Sequence, residues 1–149
     1  MEGLAFYSKP SAEGLISYDS NEATAPFRFT FNRLGGSIVK KIYLHNDNPN
    51  AWYSSLEVYF EDKTYAGDYQ TNCLWTWKLI QSPYEPVPEE WDLVANKNTI
   101  SVANIGSSSK ANIQSYIPIW VRFGVPSGLL AQNMTLLVLK VTGKKNLVE

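Results

Sequence analysis

One stretch of ten residues, Tyr116–Val125 with the sequence YIPIWVRFGV, constrains the fold more than any other part of the chain. Apolar side chains stand at every second position from Ile117 to Val125. Because successive side chains of an extended chain point to opposite faces, one row is expected to be buried and the other to face outward. At roughly 1.5–3 kcal/mol per buried aliphatic or Phe side chain, the row contributes on the order of 10 kcal/mol. The stretch is predicted to be a half-buried β-strand.

Six further segments alternate in the same way and are separated by turns rich in Asn, Asp, Gly or Pro. In chain order, the predicted strands one to seven are residues 27–31, 38–46, 55–60, 74–80, 99–102, 116–125 and 135–141. Residues 82–90 contain three prolines and are predicted to be a crossing connection, because proline removes a ladder donor. Residues 91–94 are predicted to be a short edge segment, and Gly143 is expected to end the last strand. No segment has a helical period.

Seven short alternating strands without a repeat of fixed length favour two antiparallel sheets packed face to face. The fold class is therefore all-β, a single immunoglobulin-like antiparallel β-sandwich, with a jelly roll as the alternative. Strands three, six and seven are expected in one sheet and strands one, two, four and five in the other. A chain of 149 residues supports one domain, assigned to residues 26–143, with residues 144–149 as a C-terminal tail.

Residues 1–25 contain polar clusters that interrupt any apolar period and are predicted to form an extended N-terminal arm. Fully extended, this segment reaches roughly 80 Å. It is therefore long enough to lie along its own sandwich or to cross to a neighbouring subunit. Leu4 and Phe6, with Leu15 and Ile16, are its expected anchors, and a partly ordered terminus without a role is the alternative.

Composition argues against several classes of partner and location. The 13 basic and 14 acidic residues give a net charge of −1 without a long run of one sign, so a nucleic-acid partner is not expected. The single Cys73 allows no internal disulfide. No apolar run reaches the roughly 18 residues of a membrane span, and the first residues lack a signal-peptide pattern. We expect a soluble chain, made and assembled without export and without a membrane partner.

The sequence does not contain a pattern typical of catalysis. His45 is the single histidine and falls on the outward row of strand two, where a surface histidine is expected. Residues 46–48 (NDN) carry oxygen ligands but lack the Gly and bidentate Glu of a calcium loop, so they are interpreted as a turn. We therefore predict no catalytic, cofactor-binding or metal-binding residues, no cofactor, and a protein that is not an enzyme.

Aromatic and cationic residues on the outward rows form the candidate interface. Tyr59 of strand three and Tyr116, Trp120 and Arg122 of strand six are expected to share the outer face of the three-six-seven sheet, beside Glu57. Aromatic residues and Arg are enriched in protein contacts, and aromatic rings also stack on sugars. Alternatively, the arm or the loop at residues 61–72 covers these rings within the same molecule.

The chain also resembles a known class of domain. Residues 26–39 (PFRFTFNRLGGSIV), 42–47 (IYLHND) and 53–58 (YSSLEV) look like the opening of immunoglobulin-like domains in tailed-bacteriophage virion proteins. Residues 119–122 (IWVR) and 125–128 (VPSG) are similar to the closing half of those domains. The motifs are strand-and-turn patterns over roughly residues 26–142 and carry no catalytic signature.

The resemblance implies a non-enzymatic structural component of the phage virion, such as a capsid decoration, neck, tail or baseplate subunit. Its partners would be other virion proteins and copies of itself, contacted in part through Leu4 and Phe6 of the arm. A different class of function is a carbohydrate-binding module for a host surface, with Tyr59, Tyr116 and Trp120 as a stacking platform for a glycan.

Overall fold

The computed structural model describes residues 2–11, 13–18, 22–23, 30–31, 36–62, 76–125, 132–133 and 137–149. The strands in these ranges are β1 (Leu4–Lys9), β2 (Glu13–Tyr18), β3 (Glu22–Ala23), β4 (Thr30–Phe31), β5 (Gly36–Asn46), β6 (Ala51–Asp62), β7 (Thr76–Gln81), β8 (Ile100–Val102), β9 (Tyr116–Val125), β10 (Gln132–Asn133) and β11 (Leu137–Leu147). One short helix, α1 (Pro88–Asp92), lies between β7 and β8.

These strands form two main antiparallel sheets. The larger sheet has six strands in the order β3-β2-β1-β5-β9-β7, and the smaller has three in the order β11-β6-β8. Two short strands, β4 and β10, pair with each other. The prediction of an all-β antiparallel sandwich is confirmed. The predicted strands two and three lie within β5 and β6, strand six matches β9, and strand five matches β8 except at Thr99. Residues 27–29, 74–75 and 135–136, at the starts of predicted strands one, four and seven, are outside the described residues.

The core lies between the two sheets, and β9 supplies its longest row from the larger one. Ile117 is 7% exposed, and Ile119, Val121 and Phe123 are fully buried, as the alternation predicted. From the smaller sheet, Phe60 packs edge-on against Phe123 with ring centroids 5.4 Å apart. Such an aromatic pair is worth about 0.5–1.5 kcal/mol beyond the area that it buries. The two sheets are therefore joined through apolar side chains of both inner faces.

The predicted division of strands between the sheets is wrong. Strand six, β9, pairs with β5 from Gly36 opposite Val125 to His45 opposite Tyr116, and on its other side with β7. Strand five, β8, belongs instead with β6 in the smaller sheet. Alternation determines which side chains face inward, but it contains no information about which strand lies alongside.

The predicted N-terminal arm is instead part of the larger sheet. β1 and β2 form an antiparallel pair, and β1 also pairs with β5. Leu4 and Phe6 are fully buried and Ile16 is 7% exposed, so these anchors lie in the chain's own core. The hydroxyl of Tyr53 donates a 2.6 Å hydrogen bond to the carbonyl oxygen of Glu2, which fixes the start of the segment. Leu4 and Phe6 are therefore corrected from interface candidates to core residues.

The C-terminal tail expected from residue 144 is also wrong, because β11 continues to Leu147. Gly143 lies at a bulge, where two residues of β6, Ser55 and Leu56, face this single residue of β11. A Cβ atom at Gly143 would lie 2.6 Å from the Leu56 Cδ2 atom, so only glycine fits without a shift. The glycine interpreted as a strand end therefore lies inside a longer strand, opposite a bulge of β6.

The edge segment predicted at residues 91–94 is wrong as well. Pro88 stands in the first turn of α1, and the Glu90 carboxylate accepts a 3.1 Å hydrogen bond from the Val87 backbone N–H. Trp91 is 3% exposed, and its carbonyl oxygen accepts a 3.0 Å hydrogen bond from the Lys78 ammonium group. Proline is favoured in the first turn of a helix, which explains why the helix Pro88–Asp92 includes the first two residues of the predicted edge segment.

Residues 96–98, which follow α1, cover the free edge of β7. The Asn96 Oδ1 atom accepts from the Trp77 N–H at 3.1 Å, and the Asn98 side chain bonds both backbone groups of Leu79, at 2.8 and 2.9 Å. The backbone N–H of Lys97 donates to the Trp77 carbonyl oxygen at 2.7 Å. Side chains thus satisfy backbone groups that would otherwise form an open edge for association.

Candidate interaction surface on the larger sheet

The side of the larger sheet that faces away from the core carries the candidate site, here called the outer face. Strand register brings its members side by side, because Lys41 is paired with Trp120, Tyr43 with Pro118, and Ile80 with Trp120. The outer face consists of Val39, Lys41, Tyr43 and His45 on β5, Tyr116, Pro118, Trp120 and Arg122 on β9, and Lys78 and Ile80 on β7. Tyr116 is 43% exposed, and the other members are half-buried.

A lysine between two aromatic rings forms the centre of the outer face. The Lys41 Nζ atom lies 5.3 Å from the ring centroid of Tyr43 and 5.3 Å from that of Trp120. Tyr43 also packs edge-on against Tyr116, with centroids 5.0 Å apart. A cation over an aromatic face is attracted by about 0.5–1 kcal/mol at exposed sites. These contacts hold the side chains in one arrangement before any partner binds.

The connection after β7 fixes one side of this cluster. The Trp120 Nε1–H donates a 3.0 Å hydrogen bond to the carbonyl oxygen of Ser82. The Lys41 ammonium group lies 3.4 Å from the carbonyl oxygen of Pro83, which accepts a hydrogen bond from it. The sequence predicts that the N-terminal segment or residues 61–72 could cover the outer aromatic rings within the same molecule. The structure shows Ser82 and Pro83 in contact with Trp120 and Lys41 instead. Residues 63–72 are outside the described ranges.

A second polar group lies at the end of the outer face. The Asp47 carboxylate accepts a 2.7 Å hydrogen bond from the Tyr7 hydroxyl and lies 2.9 Å from the His45 Nδ1 atom. The Tyr7 and His45 rings meet edge-on at 5.9 Å. His45 lies on the outward row as predicted, but its side chain is only 12% exposed. A histidine–carboxylate pair orients an imidazole and does not by itself supply a nucleophile.

The structure brings together only some of the predicted interface residues. Tyr116, Trp120 and Arg122 share the outer face, as predicted. Tyr59 lies on β6 of the smaller sheet, opposite Lys140, so it is separated from them. Glu57 also lies on β6, opposite Thr142. The predicted stacking platform of Tyr59, Tyr116 and Trp120 therefore does not form, because β9 belongs to the other sheet.

Lys41 and Tyr43 are functional candidates that the sequence interpretation missed. Both residues alternate with His45 and therefore fall on the same outward row of predicted strand two. Only the pairing of β5 with β9 places them beside Trp120, and this pairing was not predicted. The missing information was therefore the strand neighbour and not the face.

The charge of the outer face is predominantly positive. Lys41, Lys78 and Arg122 lie on it, and the carboxylate of Asp47 stands at its His45 end. Lys78 and Arg122 are paired across β7 and β9, and Lys41 lies opposite Trp120 on the other side of β9. This combination is complementary to a surface that presents acidic groups around apolar side chains.

No protein-family model, curated protein or solved structure matches the chain. The residues that the structure describes contain no group of three or more His, Cys, Asp or Glu side chains suited to a metal ion. Within the same residues, no helix has the length and apolar character needed to cross a membrane.

Proposed function

We propose that this chain is a non-enzymatic structural component of a tailed-phage virion and acts through protein–protein contacts made by its outer face. The partners would be copies of itself or other virion proteins, and the chain would join the particle after synthesis in the host cytoplasm. The resemblance of residues 26–142 to immunoglobulin-like virion domains supports the class of protein. The outer face supports the mode of action.

The observation that carries this proposal is the Lys41 cluster, which consists of Lys41, Tyr43, Tyr116 and Trp120. Its ammonium group is held between Tyr43 and Trp120, and the Trp120 indole is fixed by Ser82. Association is costly when flexible side chains must be ordered, at about 0.5–1.5 kcal/mol each. A cluster that is already ordered avoids much of this cost. Aromatic residues that can be desolvated are also the side chains on which binding energy usually concentrates.

Particle incorporation tests the proposal directly. The gene is replaced in the phage genome that encodes it, and purified particles are probed for the chain. Lys41→Glu reverses the central charge and removes the cation–π contacts, so incorporation is expected to fall at least roughly tenfold, the effect of about 1.4 kcal/mol. Trp120→Ala is expected to act in the same direction.

The matched control is Lys144→Glu, which makes the same charge change at an exposed position of β11 in the smaller sheet. It is expected to be incorporated like the unchanged chain. Thermal unfolding of each purified variant separates lost contacts from lost folding. The proposal fails if the unchanged chain is missing from purified particles, or if folded Lys41→Glu and Trp120→Ala chains enter particles normally.

A further inference from the structure

A cleft opens at the end of the sandwich where β9 begins. Its volume is about 250 Å³, and it lies between the end of β7, the loop after β8 and the segment that leads into β9. The side chains that give it chemical character are Gln81, Asn104, Asn112, Ser115, Tyr116 and Pro118. This volume is slightly below the roughly 300–1,000 Å³ typical of ligand pockets, so it suits a small ligand.

Among the residues that the structure describes, the cleft has an uncharged lining that combines polar groups with the apolar side chains of Ala103, Ile105, Ile117 and Pro118. It has three side-chain amides, the hydroxyl of Ser115 and the aromatic ring of Tyr116, and no described Asp, Glu, Lys or Arg lines it. In the described part of the chain, the side chains of Asn104, Asn112 and Ser115 make no hydrogen bond to the protein, and their donors and acceptors are available. The Gln81 Oε1 atom accepts a 3.3 Å hydrogen bond from Ala103, which leaves the amide NH₂ group of Gln81 to donate elsewhere.

The walls of the cleft are held in place by the core. The fully buried Asn46 donates from Nδ2 to the carbonyl oxygens of Ala51 at 2.9 Å and Ala111 at 3.0 Å, beside the lining segment. Tyr53 and Ile105 exchange two backbone hydrogen bonds of 2.9 and 3.0 Å. The site is thus preformed, which lowers the entropic cost of binding.

We propose that this cleft binds a neutral saccharide, with one sugar ring against Tyr116 and its hydroxyl groups bonded to the surrounding amides. Amides donate and accept at once, as sugar hydroxyls do. A phosphate or carboxylate ligand would need a compensating cation, and none of the described residues that line the cleft carries a charge. Tyr116 and Pro118 belong to both the cleft and the outer face, but the amides of Gln81, Asn104 and Asn112 belong to the cleft alone. Variants of these amides therefore test sugar binding without changing the proposed particle contact.

Chemical-shift titration of the isotope-labelled full chain provides the test. The probes are glucose, galactose, mannose and N-acetylglucosamine, together with soluble neutral polysaccharides built from them. Saturable shifts confined to Gln81 and to residues 103–106 and 112–117 are expected for at least one probe. A monosaccharide that binds as well as its polymer indicates a free sugar as ligand, and a response to the polymer alone indicates a surface polysaccharide.

Variants assign the binding to the cleft. Asn104→Ala and Asn112→Gly are each expected to weaken binding roughly five- to tenfold through lost hydrogen bonds. Glycine is chosen at Asn112 because this residue has a φ of 56°, which glycine adopts without strain. Gln114→Ala is the matched control, since Gln114 is an exposed amide in the same segment and does not line the cleft.

Three results would overturn the inference. One is the absence of localised shifts with every neutral probe. Another is unchanged affinity in both asparagine variants while the chain remains folded. The third is tighter binding of glucose 6-phosphate than of glucose, which would show that the cleft selects an anion.

Discussion

The two faces of β9 differ in what they do for the molecule. On the inner face, Ile119, Val121 and Phe123 are fully buried and contact the other sheet. On the outer face, Trp120 and Arg122 alternate with them yet stay half-buried, beside cations of neighbouring strands. One strand thus supplies both the apolar row that stabilises the sandwich and the aromatic row proposed to bind a partner. Substitutions on the two rows should therefore separate stability from association.

The largest effect is expected on the inner face. Phe123→Ala removes a fully buried ring that packs against Phe60, so the free energy of unfolding should fall by about 3–5 kcal/mol. Chemical denaturation measures this change. Arg122→Ala, one position along the strand, should cost less than about 1 kcal/mol, and similar losses at both positions would contradict the separation of the two faces.

The N-terminal strand should behave like the inner face. Leu4→Ala removes a fully buried side chain of β1 and should lower the free energy of unfolding by about 2–5 kcal/mol. Lys9→Ala at the exposed end of the same strand should have an effect within about 0.5 kcal/mol in the same denaturation assay. A negligible loss for Leu4→Ala would mean that the segment is an arm after all.

A smaller loss of stability is expected for substitution of Asn46, a buried residue beside the cleft. Asn46→Ala leaves the carbonyl oxygens of Ala51 and Ala111 and the N–H of Asn48 without this partner. Buried polar groups left unsatisfied cost about 1–3 kcal/mol, and thermal or chemical unfolding should show a loss in this range. Asn50→Ala, in the exposed turn nearby, is the control and should change stability by less.

The smallest effect on stability is expected on the outer face. Lys41→Ala removes two cation–π contacts at a half-buried position and should lower the free energy of unfolding by only about 0.5–1 kcal/mol. Its effect on particle incorporation should be much larger than this loss implies. A variant that unfolds readily would instead make the Lys41 cluster a structural element.

Much of the fold could be predicted from the sequence because side-chain alternation is a local property. It predicted strands that overlap β4 to β9 and β11, the buried row of β9 and the outward position of Tyr116 and Trp120, but not β1 and β2. Other features needed tertiary information. Gly143 lies opposite a bulge of β6, and the N-terminal segment forms a hairpin whose strand β1 pairs with β5. α1 had a local signal, a proline followed by two glutamates, that was overlooked.

The candidate site was predictable only in part, for the same reason. Tyr116, Trp120 and Arg122 could be assigned to one face from their spacing. Tyr59 was assigned to the same face only because β9 was paired with the wrong neighbours, and Lys41 was missed through that same error. Which strands lie side by side depends on long-range pairing, which a period of two does not encode.

Oxidative footprinting of the free chain and of purified particles tests the role of the outer face most directly. Modification of Tyr116 and Trp120 should fall on incorporation, while Leu147, which is 73% exposed on the smaller sheet, should change little and so serve as the reference. Equal modification of Tyr116 and Trp120 in the free chain and in particles would contradict the proposal that the outer face binds the partner.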